Sequence, residues 1–269
     1  LGFSMKKIFP DTPLVITEHA SGLHQGPNAY PTWILRRMIP VFQRAKVILP
    51  VSANLGERIK SLAGTPYQVL PNVVNEELFT IPNEPASRMR FVHISTLYEA
   101  AKNVHGMLRA VHQLTTKTQD FEFHIITDGD ATKAKAFADE LGMLNRFVFF
   151  HSTMATEEIA NFLQTCKALV LFSDFENFPC VIAESLMMGK PVISTDVNGI
   201  PEHVNSKNGI LIPKGDEAQL EKAICDFLDA KFTFDSNEIH SYAFKHFSYQ
   251  EVGKQFDEQY RIVLNSKTQ

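Results

Sequence analysis

The chain has 269 residues, room for one large domain or two modest ones at roughly 150 residues each. Its 26 Lys and Arg against 30 Asp and Glu give a net charge of −4, and 44% of residues are hydrophobic against 21% charged. That balance excludes a disordered or fibrous protein, and it lacks the basic excess of a dedicated nucleic-acid binder, so no nucleic-acid partner is expected.

In chain order, short β-branched and aromatic runs predict strands at Leu14–Thr17, Val47–Val51 and Gln68–Leu70. Between the first two, Tyr30–Lys46 mixes Trp33, Met38 and Phe42 with Arg36, Arg37 and Arg44. Pro40 interrupts it, which predicts a buried helix hairpin; the alternative is contact with an anionic membrane surface. Thr80–Arg90, with two prolines and no periodicity, reads as a linker.

Beyond it, strands are predicted at Phe91–Ser95, Phe123–Thr127, Phe147–Phe150, Ala168–Phe172, Pro191–Ser194 and Ile210–Ile212. Helices with apolar residues at three- and four-residue steps lie between and after them, at Val104–Leu114, Lys133–Leu141, Glu157–Gln164, Val181–Met188 and Glu217–Leu228. Strand–helix alternation predicts an α/β fold with a Rossmann-like parallel sheet covered on both faces. A last helix is predicted over Ser248–Leu264, with Ser248 and Glu251 as a capping box and Val252, Phe256 and Tyr260 along one face. The expected units are a partial N-terminal α/β domain with linker (1–85), a ligand-binding domain (86–247), and a terminal helix (248–269) that packs back on the first.

Cys166, Cys180 and Cys225 form no zinc pattern and fit a reducing cytoplasm. Apolar runs are strand-sized, far below the roughly 20 residues that span a bilayer, and the first residues lack a signal-peptide pattern.

The most informative segment is Ser173 to Val204. Its first loop follows a buried strand, at the carboxyl end of the sheet where doubly wound folds place ligands. Pro179 suits the first position of the following helix, leaving Glu176 in the loop and Glu184 about a turn and a half inside. N–H groups around Asn177, Phe178, Cys180 and Val181 face an anion such as a phosphate. A carboxylate accepts two parallel hydrogen bonds and suits a vicinal diol, so Glu176 and Glu184 are placed to grip two sugars on either side of that phosphate.

The Glu-x7-Glu spacing of Glu176 and Glu184, the run from Met188 to Asp196, and Gly199-Ile200-Pro201-Glu202 resemble the family 4 retaining glycosyltransferases (group 1) of the GT-B fold. Further landmarks are Thr17-Glu18-His19, Val51-Ser52, Pro71-Asn72-Val73-Val74-Asn75 with Phe79, Lys102-Asn103, Asp128-Gly129 and the final Phe247–Tyr260 stretch. The resemblance covers roughly the C-terminal two-thirds of a full enzyme. It implies retaining transfer of a hexose from a nucleotide diphosphate sugar to a glycan or lipid-linked acceptor, without metal or other cofactor. It implies His19 and Glu176 as the catalytic residues: Glu176 on the donor hexose and His19 contacting the sugar or assisting transfer, with Glu184 on the ribose, Lys102 on the departing diphosphate, and Thr96, Asn177, Phe178, Pro179 and Cys180 completing the donor site. The location it implies is the cytoplasm, with peripheral contact at the inner membrane face.

The family's Gly-Arg-Leu appears here as Ser95-Thr96-Leu97, so its arginine is missing and phosphate binding rests more on Lys102. Glu-Gly-Phe-Gly has become Glu176-Asn177-Phe178-Pro179, and His151 stands where glycine is common before the base. Asp128-Gly129-Asp130 spells a metal-binding Asp-x-Asp, but Asp130 reads better as the cap of the next helix. Cys180 reads as packed rather than reactive. Two other functions stay open: a nucleotide-sugar epimerase of the same fold and a non-catalytic nucleotide-sugar-binding module.

Overall fold

A computed structural model describes residues 11–24, 29–84 and 86–265. The opening residues read for a signal peptide, and Pro85 of the linker, lie outside the described residues.

A six-stranded parallel sheet organises the larger part of the chain. Its strands are β3 (Arg90–Ile94), β4 (Glu122–Ile126), β5 (Val148–His151), β6 (Ala168–Leu171), β7 (Val192–Thr195) and β8 (Gly209–Ile212), in spatial order β5-β4-β3-β6-β7-β8. The order runs outward from β3 in one direction, then restarts at β6 on its other side. β3 and β6 therefore flank the point where the winding reverses, and their carboxyl ends open a crevice that neither neighbouring helix closes. β6, Ala-Leu-Val-Leu, is buried at every position because helices cover both faces.

On one face, α4 (Val104–Thr115) packs on α8 (Glu217–Leu228), and α5 (Thr132–Glu140) adjoins α4. On the other lie α6 (Thr156–Gln164), α7 (Cys180–Met187) and α9 (Ser236–Phe247), with α9 against α7. α9 was not among the predicted helices. Its sequence mixes His240, Tyr242 and His246 into the apolar pattern, and Ile239, Ala243 and Phe247 acquire their meaning only by burying against α7.

The smaller part is a parallel pair, β1 (Val15–Glu18) and β2 (Val47–Pro50), with α1 (Thr32–Phe42) and α2 (Ala53–Ala63). The predicted strand at Gln68–Leu70 runs beside β2, with Gln68 N–H donating to Ile48 and Leu70 N–H to Pro50 (3.0 and 2.9 Å). It does not become a regular strand because Pro66 and Pro71 bracket it and remove ladder donors. The hairpin expected at Tyr30–Lys46 is instead one helix, α1. Pro40 lies in its last turn, where it withholds one N–H from the helix ladder, and the helix still runs past it to Phe42. Trp33 is 60% exposed, so the segment is not buried as expected. Among the described residues, no helix is long and apolar enough to cross a membrane.

The last helix, α10 (Tyr249–Asn265), begins after Ser248, whose hydroxyl accepts the Glu251 N–H. It returns to the smaller sheet, where Val252 and Phe256 pack with Leu49 and Leu70.

The two sheets also meet through α2. Ser52 Oγ accepts from Leu55 N–H at 3.2 Å, and Glu202, from the larger part, accepts from Ala53 and Asn54 N–H at 2.7 and 2.8 Å. Three N–H groups of one helix start are thus satisfied, two of them by a carboxylate 148 or more residues away. Glu202→Ala should lower stability by about 1 kcal/mol, the cost of a lost cap at an exposed position, and melt roughly 3 °C lower. Scanning calorimetry checks this; an unchanged melting temperature would show that the bond holds nothing together.

Candidate active site

The crevice beside β3 and β6 is built from two loops. After β3, Ser95-Thr96-Leu97 leads into the short α3 (Glu99–Lys102), whose last residue is Lys102. Asn103 takes a left-handed conformation (φ 46°) and its side chain accepts from Gly106 N–H, while the Glu99 carboxylate accepts from Val104 and His105 N–H. Lys102 thus ends α3 directly before the start of α4, which both of these side chains cap. After β6, the loop from Ser173 to Pro179 docks on α3: Asp174 and Phe175 N–H donate to the Ala101 carbonyl at 2.8 and 3.3 Å.

These loops bring Lys102 Nζ onto Glu176 Oε1 as an ion pair across 74 residues of sequence. Glu176 is buried, takes a second hydrogen bond from Ser173 Oγ at 2.7 Å, and its backbone N–H donates to Asn198 Oδ1 at 3.3 Å. Ser173 and Asn198 had no role in the sequence reading. Both lie inside the segment it singled out, but their partnership with Glu176 depends on side-chain direction.

α7 starts at Cys180, one residue before the predicted Val181, and Pro179, expected at the first helical position, instead precedes the helix with extended backbone (φ −65°, ψ 134°); no side chain caps it. Its leading N–H groups keep their positive end turned to the crevice. Glu184 sits one turn along on the face of Val181, i and i+3. Burial pushes its carboxyl up to about 7.

Val181 also lines a cavity of about 270 Å³ at the carboxyl ends of β3 and β4, together with Thr96, Asp128, Thr153 and Met154. Gly129 is essential to its shape, since a methyl group there would stand 2.0 Å from the Thr96 carbonyl oxygen. Asp130, expected to cap α5, lies one residue before the N-cap position, Ala131, and accepts from Thr132 N–H at 2.9 Å. His151 turns away from this cavity's lining to His124, with Nε2 2.8 Å from His124 Nδ1.

Phe178 is 2% exposed, stacked on Phe247 and tilted against His203, so its ring belongs to the core and only its backbone is offered to the crevice. Cys180, expected to be packed, is exposed at the helix start. Partial burial of the thiol and the nearby Glu184 charge still push its pKa up, which opposes a reactive thiolate.

His19 follows β1 and reaches the same crevice from the smaller sheet. Its carbonyl accepts from Asn177 Nδ2 at 2.7 Å, and its Nδ1 lies 2.8 Å from Asn72 Oδ1. Asn72 Nδ2 in turn donates to the Phe178 carbonyl at 3.1 Å. Gly199 lies in the same seam, where an added methyl group would meet the Asn177 carbonyl at 2.3 Å and Ser52 at 2.8 Å. The structure thus gathers His19, Lys102, Glu176, Asn177 and the Phe178 backbone around one seam, with Glu184 and Thr96 on the adjoining wall.

Residues 88–230, more than half of the chain, match the family model for glycosyl transferases group 1. The chain belongs to the group 1 glycosyl transferases. As a group 1 glycosyl transferase it is 26% identical over 200 residues to lipopolysaccharide 1,6-galactosyltransferase of Escherichia coli K12, a match covering 71% of this chain and 53% of that protein. It is 27% identical over 196 residues to an amylovoran biosynthesis glycosyltransferase of Erwinia amylovora, over 67% and 47% of the two chains. The chain spans about half the length of the curated relatives it matches. Among solved structures, Anabaena HepE in complex with UDP and glucose superimposes with a TM-score of 0.83 at 20% identity, over 96% of this chain and 74% of that one. Sucrose-phosphate synthase from Thermosynechococcus elongatus gives 0.83 at 17% identity, over 98% and 72%. The fold of this group 1 glycosyl transferase is therefore the α/β GT-B type.

Proposed function

We propose that the protein transfers a hexose from a nucleoside diphosphate sugar to a hydroxyl of a glycan or lipid-linked acceptor, with retention of configuration and without a metal ion. The Lys102–Glu176 ion pair at the crevice where the sheet's winding reverses carries this reading. Breaking a glycosyl–phosphate bond builds negative charge on the diphosphate and positive character on the sugar ring. Lys102 and the start of α7 supply fixed positive potential for the first. Glu176 holds the hexose hydroxyls, Glu184 the ribose diol, and His19 meets the sugar from the opposite sheet. The base enters the cavity lined by Thr96, Asp128, Thr153 and Met154. The UDP and glucose in the HepE complex support a UDP-sugar as the first donor to try.

Lys102 also explains how the site works without the arginine that the family pattern would add. In the free protein its charge is shared with Glu176; an arriving diphosphate competes for it and releases the carboxylate to the hexose hydroxyls. One exchange thus positions both halves of the donor. Peripheral membrane contact at the inner face fits α1, where Trp33 is exposed and the Arg37 guanidinium lies 5.4 Å from its ring centre.

The test is product analysis with the full protein. Transfer predicts nucleoside diphosphate release that needs an acceptor, a product with the donor's anomeric configuration, and activity undiminished by chelator. Glu176→Ala should lower turnover by about 100-fold or more. A changed sugar nucleotide formed without acceptor would identify an epimerase, and an intact donor would identify a binding module.

A further inference from the structure

We propose that Asn72 is a positioning residue that holds His19 as the Nδ1–H tautomer, leaving Nε2 as a lone-pair acceptor for a sugar hydroxyl in the crevice. The proposal rests on the transfer reading for its ligand, but the tautomer itself follows from hydrogen-bond chemistry alone. An amide side chain has one end that only donates and one that only accepts. The Asn72 end facing the Phe178 carbonyl, at 3.1 Å, must be the NH2, because the opposite orientation would set two acceptor oxygens against each other. The other end, facing His19 Nδ1 at 2.8 Å, is then the carbonyl oxygen. A group that only accepts requires Nδ1 to carry the proton, and a neutral imidazole has just one.

The rest of His19 is held with similar care. Its backbone N–H donates to the Glu18 carboxylate at 3.0 Å, which also takes the Ala20 N–H at 2.7 Å. Its carbonyl takes the Asn177 amide. Main chain and ring are thus anchored separately, and both anchors end on residues 177 and 178, immediately after Glu176. The ring is exposed, and Nε2 meets no hydrogen-bond partner among the described residues. An unprotonated ring nitrogen beside the hexose-binding carboxylate accepts a hydroxyl hydrogen; the opposite tautomer would present an N–H and reject the same hydroxyl as a donor. Asn72 belongs to the Pro71-Asn72 pair of the sequence, and its significance appears only through a contact across 106 residues.

The experiment is a long-range proton–nitrogen correlation spectrum of the histidine-labelled chain at pH 8, with His19 assigned by its loss in His19→Gln. The expected result is a protonated Nδ1 and a lone-pair Nε2 in the native chain. In Asn72→Ala the ratio should invert toward the Nε2–H form that free histidine favours. Asn72→Asp keeps an acceptor for Nδ1 but loses the donor to the Phe178 carbonyl, so it should hold the Nδ1–H pattern with that seam loosened, and it separates loss of the acceptor from loss of the second bond. A native Nε2–H tautomer, or a pattern unchanged in Asn72→Ala, overturns the proposal.

In the full protein, Asn72→Ala should lower turnover about tenfold, add nothing to the loss in His19→Gln, and be partly restored by Asn72→Asp. Inverted tautomers with undiminished transfer would also overturn it. The two failures separate: the spectrum reports the tautomer even if no transfer is found. Titration with nucleoside diphosphate and then with the intact sugar nucleotide shows whose hydroxyl is met. A shift of the Nε2 signal only with the intact donor assigns it to the transferred hexose, and a shift already with the nucleoside diphosphate, or none with either, overturns the hexose contact.

Discussion

Replacing Glu184 by Gln should make the ligand-free protein more stable at pH 8 while weakening donor binding about 100-fold. Glu184 is pushed up to about 7 by burial, from an ordinary value of 4.5. Its folded-state pKa lies above the unfolded one, so between pH 4.5 and 7 the folded chain holds more proton than the unfolded chain. Stability from this group is fully present below pH 4.5, is lost as pH rises through 7, and stays lost above. The gap corresponds to about 3 kcal/mol. Glutamine has no charge to desolvate, so its advantage should grow from near nothing at pH 4.5 to roughly 6 °C in melting temperature at pH 8. An equal difference at both pH values would show that the carboxylate is not strained by burial.

The same substitution removes the ionised acceptor that a ribose diol needs, since an amide oxygen replaces two carboxylate oxygens. Native donor binding should accordingly strengthen from pH 6 to pH 8, as Glu184 ionises, and the glutamine variant should lose that dependence.

The second large effect is that of Lys102→Ala, which should weaken donor binding by a similar factor of about 100 but lower stability. The diphosphate loses its charge-assisted partner, worth on the order of 2 kcal/mol or more. Glu176 loses its counter-ion while remaining buried, with only Ser173 Oγ left on the same oxygen. Breaking such a pair is destabilising because an uncompensated charge stays behind; partial solvent access at Lys102 keeps the loss to about 2 kcal/mol. Glu184 and Lys102 thus act alike on binding and oppositely on stability. Thermal melts and donor titrations on the two variants separate this arrangement from a site in which both charges are merely structural.

Much of the larger sheet was legible because its strands are continuous apolar runs and its helices carry clear stripes. β6 and α4 are examples, each within a residue or two of its predicted limits. α9 was not legible, because a helix interleaved with histidine and tyrosine declares itself only against α7. Pro40 points the other way: it takes one N–H out of the last turn of α1, yet the helix continues past it to Phe42. In the site, Lys102 and Glu176 could be named from their motifs, while their meeting is a consequence of strand order. Asn72, Asn198, Ser173 and the bond from Glu202 to α2 were beyond reach for the same reason. Each depends on contacts between segments whose proximity no local pattern encodes.

The crevice between Lys102, Glu176 and Glu184 is the proposed binding place of a nucleoside diphosphate sugar. Calorimetric titration of the chain with UDP-, GDP- and ADP-sugars at pH 8, native and Glu184→Gln side by side, tests it most directly. Saturable binding of one donor by the native chain, weakened about 100-fold in the variant, is the predicted result; no binding to any donor, or binding unaffected by the substitution, would contradict it.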